Sequence, residues 1–188
     1  MPKFFVFLCE GAHDQKLIQI VVREQSIIGK NCNHEKILLQ KIRGGESTII
    51  RDEYKRHQLR QTKKKFALIK NEMNQDICLE IFIELLKNGD SDYYLIAIFD
   101  ADRKSFTKIT KKIKNELEKN VIQISPNCFK IRERQLFFII PQSLEIAIKN
   151  ETGLKIDNKR GQKKQGLCLE KFLNDPPIWI EEFKQILI

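Results

Sequence analysis

Apolar residues along this chain fall into two patterns, short continuous runs and longer stretches with helical spacing. Lys3 to Cys9 (KFFVFLC), Tyr94 to Asp102 (YLIAIFDAD), Phe129 to Arg132 and Gln135 to Ile140 (QLFFII) read as strands. Runs this apolar indicate strands covered on both faces, as in a parallel sheet. A shorter run, Lys36 to Ile42 (KILLQKI), is closed by Gly44-Gly45 and reads as another strand. From Asp14, a candidate cap, Leu17, Ile18, Val21 and Val22 recur at helical spacing, with Gly11 relieving the preceding turn. Asp76 to Leu86 reads as a packed helix, and Ser105 to Lys119 as an amphipathic one with Phe106, Ile109, Ile113 and Leu117 on its core face. Pro141 leads into a helix with Glu145 at its start, and two last helices, Leu167 to Leu173 and Ile178 to Ile188, flank Asp175-Pro176-Pro177, with Trp179 and Phe183 inward. The most polar part, residues 51 to 75, reads as a helix from about Ser47, with a narrow stripe of Ile50, Tyr54, Phe66 and Ile69, extending as a basic arm. Alternating strands and helices give an α/β fold, a Rossmann-like, mainly parallel sheet flanked by helices with right-handed crossovers.

Composition narrows the classes. The 188 residues suit one domain, with residues 1 to 150 as the α/β core and 151 to 188 as a basic loop and helical appendage. No run approaches the ~20 apolar residues of a membrane span, and Phe4 to Leu8 is too short for a secretory signal, so a cytoplasmic location is the expectation. Five scattered cysteines without a CxxC suggest reduced thiols, and Cys32-Asn33-His34 lacks a second half-site for a soft metal. A net charge of +9 suggests a polyanionic partner, although a lysine-rich composition alone produces part of that excess.

The chemistry gathers where two runs end. One delivers Glu10-Gly11, the other Asp100-Ala101-Asp102. Carboxyl ends of parallel strands share one edge, where α/β folds bind ligands. Carboxylates that close raise one another's pKa unless a cation intervenes, and oxygen ligands suit Mg²⁺ or Mn²⁺. An acidic pair after a strand serves equally as a solvated turn or as the cap of a helix starting near Ser105, and the DAD stretch alone leaves these readings open.

Glu10-Gly11-Ala12-His13-Asp14 after one strand and Asp100-Ala101-Asp102 after another resemble the Toprim domain of topoisomerases, bacterial primases, 5S ribosomal RNA maturases and the nuclease half of OLD-family proteins. The resemblance implies a Toprim sheet over residues 1 to 150, with Glu10 in acid/base chemistry or as a shared ligand and Asp100 and Asp102 holding Mg²⁺. It places Asp14 near a second ion, and Glu145 in Pro141-Gln142-Ser143-Leu144-Glu145 resembles a late ligand of small stand-alone members. The gap between Glu10 and Asp100 is long for the family, so about 47 to 88 looks like a basic helical insertion. No GxxxxGK[ST] loop or strand-passage tyrosine context accompanies the motifs, which leaves hydrolysis or an RNA-processing role as the simplest chemistry.

Arg51, Lys55, Arg56, Arg60, Lys63 and Lys64, with Lys159, Arg160, Lys163 and Lys164 of a basic loop at Asp157 to Gly166, are candidate phosphate contacts; solvated faces are the bland alternative for each. The phenylalanines lie mostly in strands and read as core, with no stacking surface for unpaired bases. His13 assists proton transfer, donates to a phosphate or, as the plainer reading, fills the turn. The expectation is a Mg²⁺-dependent (or Mn²⁺-dependent) enzyme acting on DNA or RNA, with room for a partner protein that supplies specificity. A non-catalytic nucleic-acid-binding or regulatory module on the same fold is the alternative, and a receiver-like or phosphatase-like sheet using only Asp100 and Asp102 is a third.

Overall fold

The structure, a computed structural model, describes residues 3–32, 48–59, 64–71, 74–87, 92–101, 106–154, 156 and 162–188. Among the described residues seven strands form one sheet: β1 (Phe4–Cys9), β2 (Ile28–Cys32), β3 (Phe66–Asn71), β4 (Tyr94–Asp100), β5 (Ile122–Gln123), β6 (Cys128–Arg132) and β7 (Gln135–Ile140). Among the described residues seven helices flank it: α1 (Ala12–Glu24), α2 (Thr48–Leu59), α3 (Gln75–Lys87), α4 (Phe106–Leu117), α5 (Leu144–Thr152), α6 (Gln162–Asn174) and α7 (Ile178–Ile186). The strand order is β2-β3-β1-β4-β7-β6-β5. The first five run parallel, whereas β6 is antiparallel to β7 and β5 to β6. The fold is therefore α/β with a mainly parallel sheet.

All six residues of β1 are buried because the strand is covered on both faces. Phe5, Phe7 and Cys9 face the layer of α1, α5, α6 and α7, while Phe4, Val6 and Leu8 face α2, α3 and α4. On the second face Phe82, Phe99 and Phe137 meet edge to face at 6.2 to 6.4 Å, contacts worth roughly 0.5–1.5 kcal/mol each beyond their area. On the first, Phe183 of α7 stands against Phe7 at 5.9 Å and Trp179 against Phe172 at 6.1 Å. The C-terminal helices expected to form an appendage thus cover the face of the central strand.

Several expected elements take another form. Phe66 to Asn71 is a strand, β3, paired with β1 on one side and β2 on the other, where a helical arm was expected. Its buried run, Phe66-Ala67-Leu68-Ile69-Lys70, follows a string of lysines that masks a strand lying between two neighbours. Lys70 itself is buried, its Nζ donating to the Asn71 carbonyl. The span 47 to 88 therefore supplies β3 and α3 to the sheet and its cover. α2 packs through Ile50, and Tyr54 meets the Phe4 ring edge to face at 5.4 Å, so it lies on the sheet. Residues 162 to 166, expected as loop, form the start of α6. Helix α1 begins at Ala12, so Asp14 sits inside its first turn and does not precede it. The strand expected at Lys36 to Ile42 and residues 157 to 161 of the expected basic loop lie outside the described residues.

Candidate active site

Parallel pairing places the carboxyl ends of β3, β1, β4 and β7 along one edge. Glu10 follows β1, and Asp100 is the last residue of its hydrogen-bonded neighbour β4. Where the β1–β4 ladder stops, the Glu10 side chain continues it: the backbone N–H of Asp100 donates to Glu10 Oε1 at 2.7 Å. Gln75, the first residue of α3 and only 3% exposed, closes the arrangement. Its Nε2 donates to Glu10 Oε1 at 2.8 Å and to the Asp100 carbonyl at 2.7 Å. Two donors on one carboxylate oxygen restrict the rotation of Glu10 and fix the direction its carboxylate faces.

The turn into α1 adds a second group of residues. Gly11 N–H donates to Asp14 Oδ2 at 2.9 Å. Gly11 has ordinary extended dihedrals, with φ at −132°. A Cβ there would stand 3.2 Å from Asp14 Oδ2, so this glycine gives room to a carboxylate and relieves no backbone strain. Asp14 is 6% exposed. Burial, above all, pushes its carboxyl up to about 7; the Gly11 hydrogen bond opposes this, negative charge on Glu10 and Glu145 adds to it, and His13 opposes it.

Glu145 enters from α5, the helix that follows β7. Ser143 caps that helix, its Oγ accepting from the Ile146 N–H. Glu145 Oε1 lies 2.8 Å from His13 Nδ1. That hydrogen bond, ahead of the opposing burial, holds the Glu145 carboxyl below its usual range. An ionised partner requires the proton on His13 Nδ1. His13 is buried, and its Nε2 finds no partner among the described residues.

Glu10, Asp14, Asp100 and Glu145 thus all lie along the edge formed by β1, β4 and β7, while Asp102 lies outside the described residues. Among the described residues no three Asp, Glu, His or Cys side chains converge as a metal-binding set.

The basic residues are distributed differently. Lys55 and Arg56 are exposed on α2, in the turn where Tyr54 and His57 pack on Phe4. Phe4 begins β1 and Phe66 begins β3, so these cations sit at the opposite ends of the strands from Glu10, which lies about 20 Å from Phe4, six residue rises along β1. Arg56 is also 3.0 Å from Glu53, which takes Lys30 at 2.7 Å. Lys64 is exposed just before β3. Arg60, Lys63, Lys159 and Arg160, and the side chains of Arg51, Lys163 and Lys164, lie outside what the structure describes, as do His34 and the side chain of Cys32.

Gln75 had no signal in the sequence, because its significance depends on β3 preceding it. The His13–Glu145 pair joins residues 132 positions apart, and only the sheet order brings them together.

No family model and no curated protein matches the chain. Among solved structures, the solution NMR structure of a de novo designed protein (PLOOP2X3_50 fold) is similar over 93% of this chain and 92% of that chain, with 8% identity and a TM-score of 0.38. A likeness that loose adds nothing on function.

Proposed function

We propose that this protein carries out divalent-cation-dependent phosphodiester chemistry on nucleic acid, as a small Toprim-like nuclease acting from the edge where β1 and β4 end. The observation that carries the reading is the joined placement of Glu10 and Asp100, with one carboxylate bonded to the other residue's backbone and both tied to Gln75. The donor chemistry fits a hard cation, because the side chains at this edge offer carboxylate oxygen. Glu10 and Asp100, with Asp102 as the expected third ligand, would hold Mg²⁺ or Mn²⁺, which when bound neutralises charge on the reacting phosphate.

The protein's own contribution is orientation. Gln75 and the Asp100 N–H hold the Glu10 carboxylate against the strand end, so it meets a substrate in one pose. His13 Nδ1 lies 2.8 Å from Glu145 Oε1, which holds the imidazole and that carboxylate together beside the strand ends. A second reading, a nucleic-acid-binding module, is favoured for α2 by the separation of Lys55 and Arg56 from the carboxylate edge.

The test is cleavage of labelled single- and double-stranded DNA and RNA with Mg²⁺, Mn²⁺ or chelator, comparing wild type with Glu10→Gln and Asp100→Asn. Glutamine at position 10 keeps an oxygen for both donors, so loss of cutting by that variant reports chemistry and not folding. Metal-dependent cutting abolished in both variants supports the proposal. No cutting by wild type, with binding that weakens steeply in salt, moves the function to the binding module.

A further inference from the structure

Phe106 differs from the other phenylalanines. It opens α4, the next described residue after Ala101, and is 41% exposed despite its place on the expected core face of the helix. Its ring stacks on Phe129 with centroids 4.4 Å apart and planes 28° apart. Phe129 in turn stacks on Phe137 at 5.0 Å and 19°. Phe129 and Phe137 are buried, so the three rings form a column that starts in the core and ends at the surface. Stacking covers one face of Phe106, while 41% of the residue stays exposed.

The column is anchored to the candidate active site through the sheet register. Phe129 pairs with Phe137, and Phe137 with Ala97, three residues before Asp100 on β4. One strand spacing and three residue rises place the base of the column, Phe137, about 11 Å from the end of β4. At roughly 3.4 Å per stacked nucleotide, that is a span of a few nucleotides. The surroundings suit a polyanion: Lys108 and Lys111 are exposed on the first two turns of α4, whose first turn carries no acid. An aromatic face beside cations, a short distance from a phosphodiester site, has the features that bind unpaired bases: π-stacking that tolerates any base, and charge that follows the backbone.

We propose that Phe106 is a base-stacking surface, and that the substrate brought to the carboxylate edge is a single-stranded or locally unpaired nucleic acid. This rests on the phosphodiester reading of Glu10 and Asp100 and specifies its substrate class. In a duplex the bases stack on one another and leave no free face for Phe106, so the surface selects strands whose bases are open.

The test uses single-stranded oligonucleotides carrying 2-aminopurine at successive positions, and the matching duplex, with Ca²⁺ replacing Mg²⁺. Fluorescence quenching and anisotropy are read for wild type, Phe106→Tyr, Phe106→Leu and Phe106→Ala. Leucine keeps an apolar cover over Phe129 but lacks a π-face, so it separates stacking from folding. Wild type is expected to prefer the single strand and to quench 2-aminopurine at one position. Tyrosine retains both properties, while leucine and alanine lose the quenching and bind roughly 5- to 100-fold more weakly. If the leucine variant binds and quenches like wild type, the inference falls while nucleic-acid binding stands. If wild type binds duplex as tightly as single strand, the inference also falls. If wild type binds neither, the inference and the phosphodiester reading fall together.

Discussion

Replacing Asp14 by asparagine is expected to stabilise the protein in a pH-dependent way. Asp14 titrates at about 7 in the folded chain, against 3.8 for an unperturbed aspartate. Between those values the folded state holds a proton that the unfolded state has released. The stabilisation from that proton is complete below pH 3.8 and is lost as pH rises through about 7. About three pH units at ~1.4 kcal/mol each amount to about 4 kcal/mol. Asparagine has the shape of the protonated acid, its Oδ1 can accept the Gly11 N–H, and it does not ionise in either state. Asp14→Asn should exceed wild type by about 1 kcal/mol at pH 4.5 and about 4 kcal/mol at pH 8, a rise in Tm of roughly 8–16 °C for a chain of this length. Thermal melts of both proteins by circular dichroism from about pH 4.5 to 8.5 measure the difference, and subtraction removes groups that titrate alike in both. A difference that stays flat across that range, or a less stable variant at pH 8, refutes the reasoning. If Mg²⁺ binds beside Glu10, millimolar Mg²⁺ should favour ionised Asp14 and narrow the gap at pH 8.

Two further perturbations test the supporting geometry. Gln75→Leu removes the donors to Glu10 and the Asp100 carbonyl but also a buried Oε1 that has no partner among the described residues; the net cost is about 2 kcal/mol, seen as a lower urea midpoint at unchanged slope. Gly153 ends α5 at φ +68°, and a Cβ added there would meet nothing within 4 Å, so Gly153→Ala should cost about 1 kcal/mol from backbone strain alone, read in thermal melts.

The architecture was legible where a strand is apolar throughout. β1, β4 and β7 stand close to their expected places because a strand covered on both faces has nothing else to be. β2 escaped notice because Ile28-Gly29-Lys30-Asn31-Cys32 is short and polar, with Ile28, Gly29 and Lys30 exposed. β3 was hidden by the lysines before it, since charge just outside a strand dilutes its apolar signal in any long window. Within the candidate site, Glu10 and Asp100 were readable because strand ends can be seen locally. Gln75 and the His13–Glu145 pair were not, since contacts between elements depend on strand order. Phe106 lies on the expected face of its helix, stacked on Phe129, but helical spacing does not reveal that it stays 41% exposed there.

The strand order has a consequence for synthesis. β1 is the first strand of the chain, yet its edges belong to β3 and β4, which begin at Phe66 and Tyr94. At roughly 5–20 residues per second, a nascent chain holds six uncharged, β-prone residues without partners for several seconds. Segments of that composition seek other strands, so this interval is where a ribosome-bound chain most needs shielding. Because the Glu10–Asp100 contact continues the ladder that β4 completes, no nascent chain that stops short of β4 possesses it, and the helices that cover β1 follow later still.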